Sequence, residues 1–115
     1  MWTILTTELF DHWFERQDEL TQNKMLAGLL ALRKGGPNVG RPLVDAIKFS
    51  RWLHMKELRV QHKGQPIRAF FAFDPLRRAI ILCAGDKSGN DKRFYREMLA
   101  VADAQYAQHL MTLVE

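Results

Sequence analysis

The chain has 115 residues, 47% hydrophobic and 26% charged, which is the composition of an ordinary globular protein of a size that fits one domain, residues 1–115. No apolar run approaches the roughly 18 residues of a membrane span, and the first residues lack the basic flank and apolar centre of a secretory signal, so no membrane partner is expected and the cytoplasm is the expected compartment. The single cysteine, Cys83, leaves no internal disulfide, and a net charge of +4 suits a polyanionic partner.

Met1 to Thr6 reads as a short strand, carried by Trp2, Ile4 and Leu5. Thr7 is a plausible N-cap for a helix through Phe14. A second helix is predicted from about Asp18 to Lys34, with Leu20, Lys24, Leu26, Leu29, Leu30 and Leu32 as its stripe at helical spacing. The run from Gly35 to Pro42 is rich in turn formers and breaks the chain. Leu43 to Ile47 reads as a strand, and 50–53 as irregular. Three strand-like runs follow at about 55–62, 66–74 and 79–86, with a turn at Lys63-Gly64 and another opened by Asp74-Pro75. The loop from Gly85 to Asn90 leads to a last helix from about Asp91 to Leu113, lined by Phe94, Met98, Val101, Ala102, Tyr106, Leu110 and Leu113. Cys83 sits in the apolar run Ala79 to Ala84 and reads as a core residue. Helices and strands segregate in this order, which predicts an α+β domain. An N-terminal strand and two helices pack on a mainly antiparallel sheet of four to five strands, and a C-terminal helix follows.

The hairpin 56–74 holds the most informative residues. A turn centred on Lys63-Gly64 pairs Arg59 with Arg68, Leu58 with Ala69 and Val60 with Ile67. Directly opposed side chains lie about 5 Å apart, where like charges repel. Alternation puts Leu58, Val60, Ile67, Ala69, Phe71 and Phe73 on one face, and Glu57, Arg59, Gln61, Arg68, Phe70 and Ala72 on the other. The first face should pack on helices. Two readings of the second stay open: a cationic, half-apolar surface for a nucleotide, with guanidinium for phosphate and Phe70 for a base, or a strand face whose arginines pair with Glu57 or with helix carboxylates. Lys87, Lys92, Arg93 and Tyr95 can reach the edge of this face.

Other patterns say less. His12, His54, His62 and His109 have no metal-ligand spacing, His54 being the best proton-transfer candidate of the four. Gly35 to Gly40 lacks the Gly-Lys-Ser/Thr ending of a phosphate loop. No metal or cofactor is expected.

The strings Gly36-Pro37-Asn38-Val39-Gly40-Arg41-Pro42, Met55-Lys56-Glu57-Leu58-Arg59, Ile67-Arg68, Ala72-Phe73-Asp74-Pro75, Ala84-Gly85-Asp86-Lys87 and Arg93-Phe94-Tyr95 together resemble the phage-derived HigB-type branch of the RelE/ParE toxin superfamily. The resemblance runs over nearly the whole chain. It implies a compact α+β toxin of a type II toxin–antitoxin system that cuts mRNA on the ribosome. The implied partners are a cognate helix-turn-helix antitoxin (HigA-like), the ribosome and its mRNA, and operator DNA only through the antitoxin. Arg68 matches the family's central-strand arginine, Tyr95 its late aromatic, and Lys87 or Lys92 the basic residue before it. Arg59, with Lys56 second, stands where RelE-like members carry lysines, and Glu57 replaces one expected cation. The resemblance thus nominates Arg68, Tyr95, Arg59 and Lys87 as catalytic, and Lys56, Phe70, Lys92 and Arg93 as substrate-binding.

Metal-free RNA cleavage by the 2′-hydroxyl needs a base, cations on the phosphorane and an acid on the 5′-oxygen. Arg68 and Arg59 are expected on the phosphate and Tyr95 or Glu57 on the protons, with Lys92 or Arg93 lowering the Tyr95 pKa. ParE-like relatives instead block DNA gyrase by protein contacts and have no nuclease residues. A plain RNA-binding module is a third reading.

Overall fold

The computed structural model describes residues 1–62 and 64–114, so Lys63, expected in the hairpin turn, lies outside the described residues. The elements are β1 (Thr3–Thr6), α1 (Glu8–Glu15), α2 (Glu19–Gly35), a short 3-10 turn (Gly36–Asn38), β2 (Val44–Ala46), β3 (Lys56–His62), β4 (Gln65–Phe73), β5 (Arg78–Asp86) and α3 (Asp91–Met111). Their order is the one predicted. Each α-helix starts at a side-chain cap: Thr7 accepts from the Phe10 amide, Asp18 from that of Thr21 and Asn90 from that of Arg93. Such a cap satisfies one otherwise unpaired amide and contributes about 1 kcal/mol.

The five strands lie in the order β1-β5-β4-β3-β2. β1 joins β5 in parallel, and the other three pairs are antiparallel. The hairpin register is the expected one, with Leu58 opposite Ala69, Arg59 opposite Arg68 and Val60 opposite Ile67.

Both faces of the sheet are covered. On one face Leu58, Val60, Ile67, Ala69 and Phe71 pack with Phe10 of α1 and Met25 and Leu32 of α2. On the other, Phe70, Ala72, Ile80 and Leu82 pack with Ala102 and Tyr106 of α3. The mixed face that alternation suggested as an open surface is therefore roofed by α3. A bulge makes this possible. Phe70 pairs with Cys83 and Phe71 with Ile81, which leaves Leu82 as the extra residue and turns both Leu82 and Cys83 toward α3. Cys83 is buried, as expected, and burial pushes its thiol up to about 12.

The α2 stripe differs from the leucine pattern. Thr21, Met25, Gly28 and Leu32 are buried, while Leu20, Leu26 and Leu30 are about half exposed. Leucines surround most of this helix, so their spacing does not choose a face. Gly28 does: a Cβ there would lie 3.2 Å from Leu58, and the missing side chain lets α2 close on the sheet at that point.

The Asp74 turn ties the far end of α3 to the sheet. Asp74 accepts from the Leu76 and Arg78 amides and from the Arg78 guanidinium, and His109 Nε2 lies 2.8 Å from its Oδ2. Burial pulls this carboxyl up, but the hydrogen bonds from Arg78 and His109 outweigh it and hold the pKa below the ordinary carboxylate value.

Gly36 carries a second glycine requirement. Its φ is +55°, and a Cβ there would overlap the Trp2 indole. Gly36→Ala should therefore lower stability by about 2 kcal/mol in urea unfolding, through both strain and displaced Trp2. An unchanged midpoint would contradict this.

Candidate functional site

The site grows out of the hairpin register. Arg59 and Arg68 are opposed across β3 and β4. The anion that relieves them is internal. Glu57, two residues before Arg59 and so on the same face, brings Oε1 to 3.6 Å from Arg68 Nε. Both are buried, at 6% and 4% exposure. Of the two readings left open by the residues, pairing with Glu57 is the one observed. The pair is Coulombic rather than hydrogen-bonded. Arg68 Nη1 donates to the Ile67 carbonyl at 3.0 Å, and its Nε is a buried donor without a hydrogen-bond partner among the described residues.

α3 adds the third member. Tyr95 Oη donates to Glu57 Oε1 at 2.6 Å. Its ring packs against Phe70 at 5.9 Å and Phe94 at 5.4 Å. Phe94 in turn sits over Gly85, the residue opposite Arg68, where a Cβ would come within 3.1 Å of the ring. Burial first, then the hydrogen bond to Glu57 and its negative charge, push the Tyr95 pKa up to about 12, while Arg68 pulls weakly the other way. This reverses the lowering by Lys92 or Arg93 expected from sequence. Burial and Glu57 thus favour the protonated phenol form of Tyr95.

Glu57 and Tyr95 line a groove of about 670 Å³ between α3 and the segment that follows β2. Ala46, Ile47, Leu99 and Ala100 supply apolar walls, and Lys48, Lys92 and Arg96 add cations. None of these three cations makes an ion pair among the described residues.

The nominated residues separate as follows. Arg68 and Tyr95 are brought together through Glu57, and Lys92 lines the adjoining groove. Lys87 lies on the Gly85 side of β5, its Nζ 3.7 Å from Asp91, a groove residue. Arg59 faces Arg68 in register but does not line the groove; Asp45 is held below the ordinary carboxylate value first by the hydrogen bond from Arg41, and the Arg59 charge adds a smaller pull in the same direction. Lys56 alternates to the opposite face, with Leu58 and Val60. Arg93 is exposed and engaged by Glu97 at 2.9 Å. Phe70, expected to stack on a base, is fully buried and instead supports Tyr95. Sequence reasoning overlooked Lys48 and Phe49, which lie in the groove lining on a stretch with no strand or helix period to flag it.

A carboxylate hydrogen-bonded to a phenol beside a guanidinium can exchange protons with a bound group, and the free cations nearby can hold an anion. Comparison with known proteins adds the family. The family described as "Phage derived protein Gp49-like" matches residues 12–107. The chain belongs to the phage-derived Gp49-like family. Two Mycobacterium tuberculosis proteins are close in sequence. "Putative toxin HigB2" is 40% identical over 110 residues, 95% of this chain and 54% of that protein. "Putative toxin HigB3" is 41% identical over 93 residues, 81% of this chain and 80% of that protein. This chain thus spans about half the length of the first relative. The fold is that of the Escherichia coli toxin RelE, solved in the free state as a double arginine-to-alanine mutant, with a TM-score of 0.57 at 6% identity over 76% of this chain and 84% of that one. The Gp49-like chain groups in sequence with the HigB-type proteins and shares the RelE fold, in line with the resemblance its motifs carried.

Two outcomes test the cluster. Arg68→Ala leaves Glu57 buried without its counter-charge and should cost on the order of 3 kcal/mol in urea unfolding. Tyr95 holds its proton more tightly folded than unfolded. Its contribution to stability is therefore full below its ordinary value of 10.0 and is lost as pH rises toward about 12. Tyrosinate absorbance should stay low in the folded protein at pH 10, and Glu57→Gln should bring the Tyr95 transition down by removing the carboxylate charge.

Proposed function

We propose that this protein is the toxin of a type II toxin–antitoxin pair, and that it is a metal-independent endoribonuclease cutting mRNA on translating ribosomes in the cytoplasm. The observation that carries the reading is the Tyr95–Glu57 hydrogen bond of 2.6 Å, beside Arg68 and at a groove whose cations are unpaired among the described residues. Toxin relatives in sequence and a toxin fold support the same class. A helix-turn-helix antitoxin would be the neutralising partner, with operator DNA reached only through it.

Glu57 takes the proton of the 2′-hydroxyl next to the cut. The 2′-oxygen then bonds to phosphorus and the bond to the 5′-oxygen breaks, leaving a 2′,3′-cyclic phosphate and a 5′-hydroxyl end. Tyr95, kept protonated by its raised pKa, gives its proton to the departing 5′-oxygen. Arg68 holds Glu57 in place, and its Nε–H, without a hydrogen-bond partner among the described residues, is a donor that a phosphate oxygen can satisfy once Glu57 shifts. Lys92 and Lys87 supply further positive charge at the groove end.

One observation favours a second reading. Arg68 is already neutralised by Glu57 and is 4% exposed, and a ParE-like inhibitor of DNA gyrase needs no phosphate-binding arginine at all. Expression of the chain alone, followed by mapping of mRNA 5′ ends, separates the two. The ribonuclease produces new 5′-hydroxyl ends inside reading frames that vanish when translation is blocked. Glu57→Gln and Tyr95→Phe should each reduce them about 100-fold. Intact mRNA with loss of gyrase supercoiling in the presence of purified protein would overturn the nuclease reading.

A further inference from the structure

The segment after β2 contains an outlier that the fold does not require. Phe49 is 96% exposed and has a φ of +70°, a conformation unfavourable for a bulky side chain. The segment is nevertheless held firmly. Asp103 of α3 accepts from Ser50 Oγ at 2.7 Å and from the Arg51 amide at 3.3 Å, and the Asp103 carbonyl accepts from Trp52 Nε1 at 3.3 Å. Trp52 itself packs edge-on against Tyr106 at 5.3 Å. An exposed aromatic ring in a strained backbone, clamped from below, is a presented ring.

What it is presented to can be read from the groove. Phe49 lines it together with Ile47 and Leu99, and Lys48, Lys92 and Arg96 flank it without ion-pair partners among the described residues. The two lining aspartates are engaged, Asp91 with Lys87 and Asp103 with the clamp. The uncommitted charge is therefore positive. An aromatic face, apolar walls and free cations within one groove fit the flat base and charged backbone of a nucleotide. The volume of about 670 Å³ admits a nucleotide.

We propose that this groove takes one base of single-stranded RNA, stacked on Phe49, with Lys48, Lys92 and Arg96 holding its backbone so that the adjoining phosphate reaches Tyr95 and Glu57. The inference rests on the ribonuclease reading and names the subsite beside the reacting phosphate. Phe49 then sets where the strand is cut, and Asp103 is a positioning residue that acts through the segment.

The test has a binding arm and a cutting arm. The binding arm follows the methyl NMR signals of Ile47 and Leu99 in the full chain during titration with a 2′-O-methyl RNA trinucleotide, which cannot be cut, and with the same backbone lacking bases. The trinucleotide should move these signals, the baseless strand should not, and Phe49→Ala should weaken the effect about tenfold with no change in urea midpoint. Equal shifts from the baseless strand, no shift from either, or an unchanged affinity in Phe49→Ala would overturn the base site. In the cutting arm, Phe49→Ala should reduce cutting on ribosomes and flatten its base preference, while Phe49→Trp retains both. Cutting of unchanged rate and position in Phe49→Ala also overturns it. If the trinucleotide binds as described and the wild type cuts no mRNA, the ribonuclease reading falls and the base site stands.

Discussion

Arg68 and Glu57 lie 3.6 Å apart near the middle of the sheet, and neither could be there alone. An unpaired charge at that depth would cost several kcal/mol, so each residue is the condition for the other. Their pairing also relieves the repulsion that Arg59 and Arg68 would otherwise exert across the hairpin. The arrangement is not one that stability favours strongly. Desolvation of two charges can exceed their attraction, and Arg68 Nε has no hydrogen-bond partner among the described residues. Its clearest effect is on Tyr95, which it helps to hold as a phenol against a carboxylate at the edge of an accessible groove.

The rest of the second face is arranged so that α3 can reach this pair. The Leu82 bulge turns two successive β5 side chains toward the helix. Gly85, opposite Arg68, leaves room for Phe94. Phe70 underlies both Phe94 and Tyr95. At the other end, Asp74 and Tyr106 fix the last turns of the helix to the sheet, with Tyr106 donating to the Phe73 carbonyl. Local choices of small residues and one extra strand residue thus set the position of a hydroxyl to within hydrogen-bonding distance of a buried carboxylate.

Much of this was legible in the sequence. The order and class of the elements followed from periodicity, the Thr7 cap from its side chain, and the hairpin register from Lys63-Gly64. The register in turn placed Glu57, Arg59 and Arg68 on one face. Four features were not legible, for physical reasons. The leucines of α2 spread around the helix, and the small Gly28 decided which side is buried. Alternation marks which residues share a face but not what covers it, so the roofing of Arg68 and Phe70 by α3 could not be read from strand spacing. The Tyr95 pKa moved opposite to expectation because Lys92 and Arg93 are next to it in sequence, whereas Glu57 is 38 positions away and in contact. Phe49 belongs to a stretch with no period, and only the fold shows that it reaches the same groove.

On the proposed function, the buried pair serves the chemistry of Tyr95 and Glu57 rather than the stability of the sheet. The most direct measurement is single-turnover cleavage of mRNA on translating ribosomes by the double variant Glu57→Leu, Arg68→Met, alongside its urea midpoint. Replacing a buried ion pair by apolar residues of similar volume should leave stability within about 1 kcal/mol or raise it. The double variant should fold, and its cutting should fall at least about 100-fold. A folded double variant that cuts at the wild-type rate would contradict this.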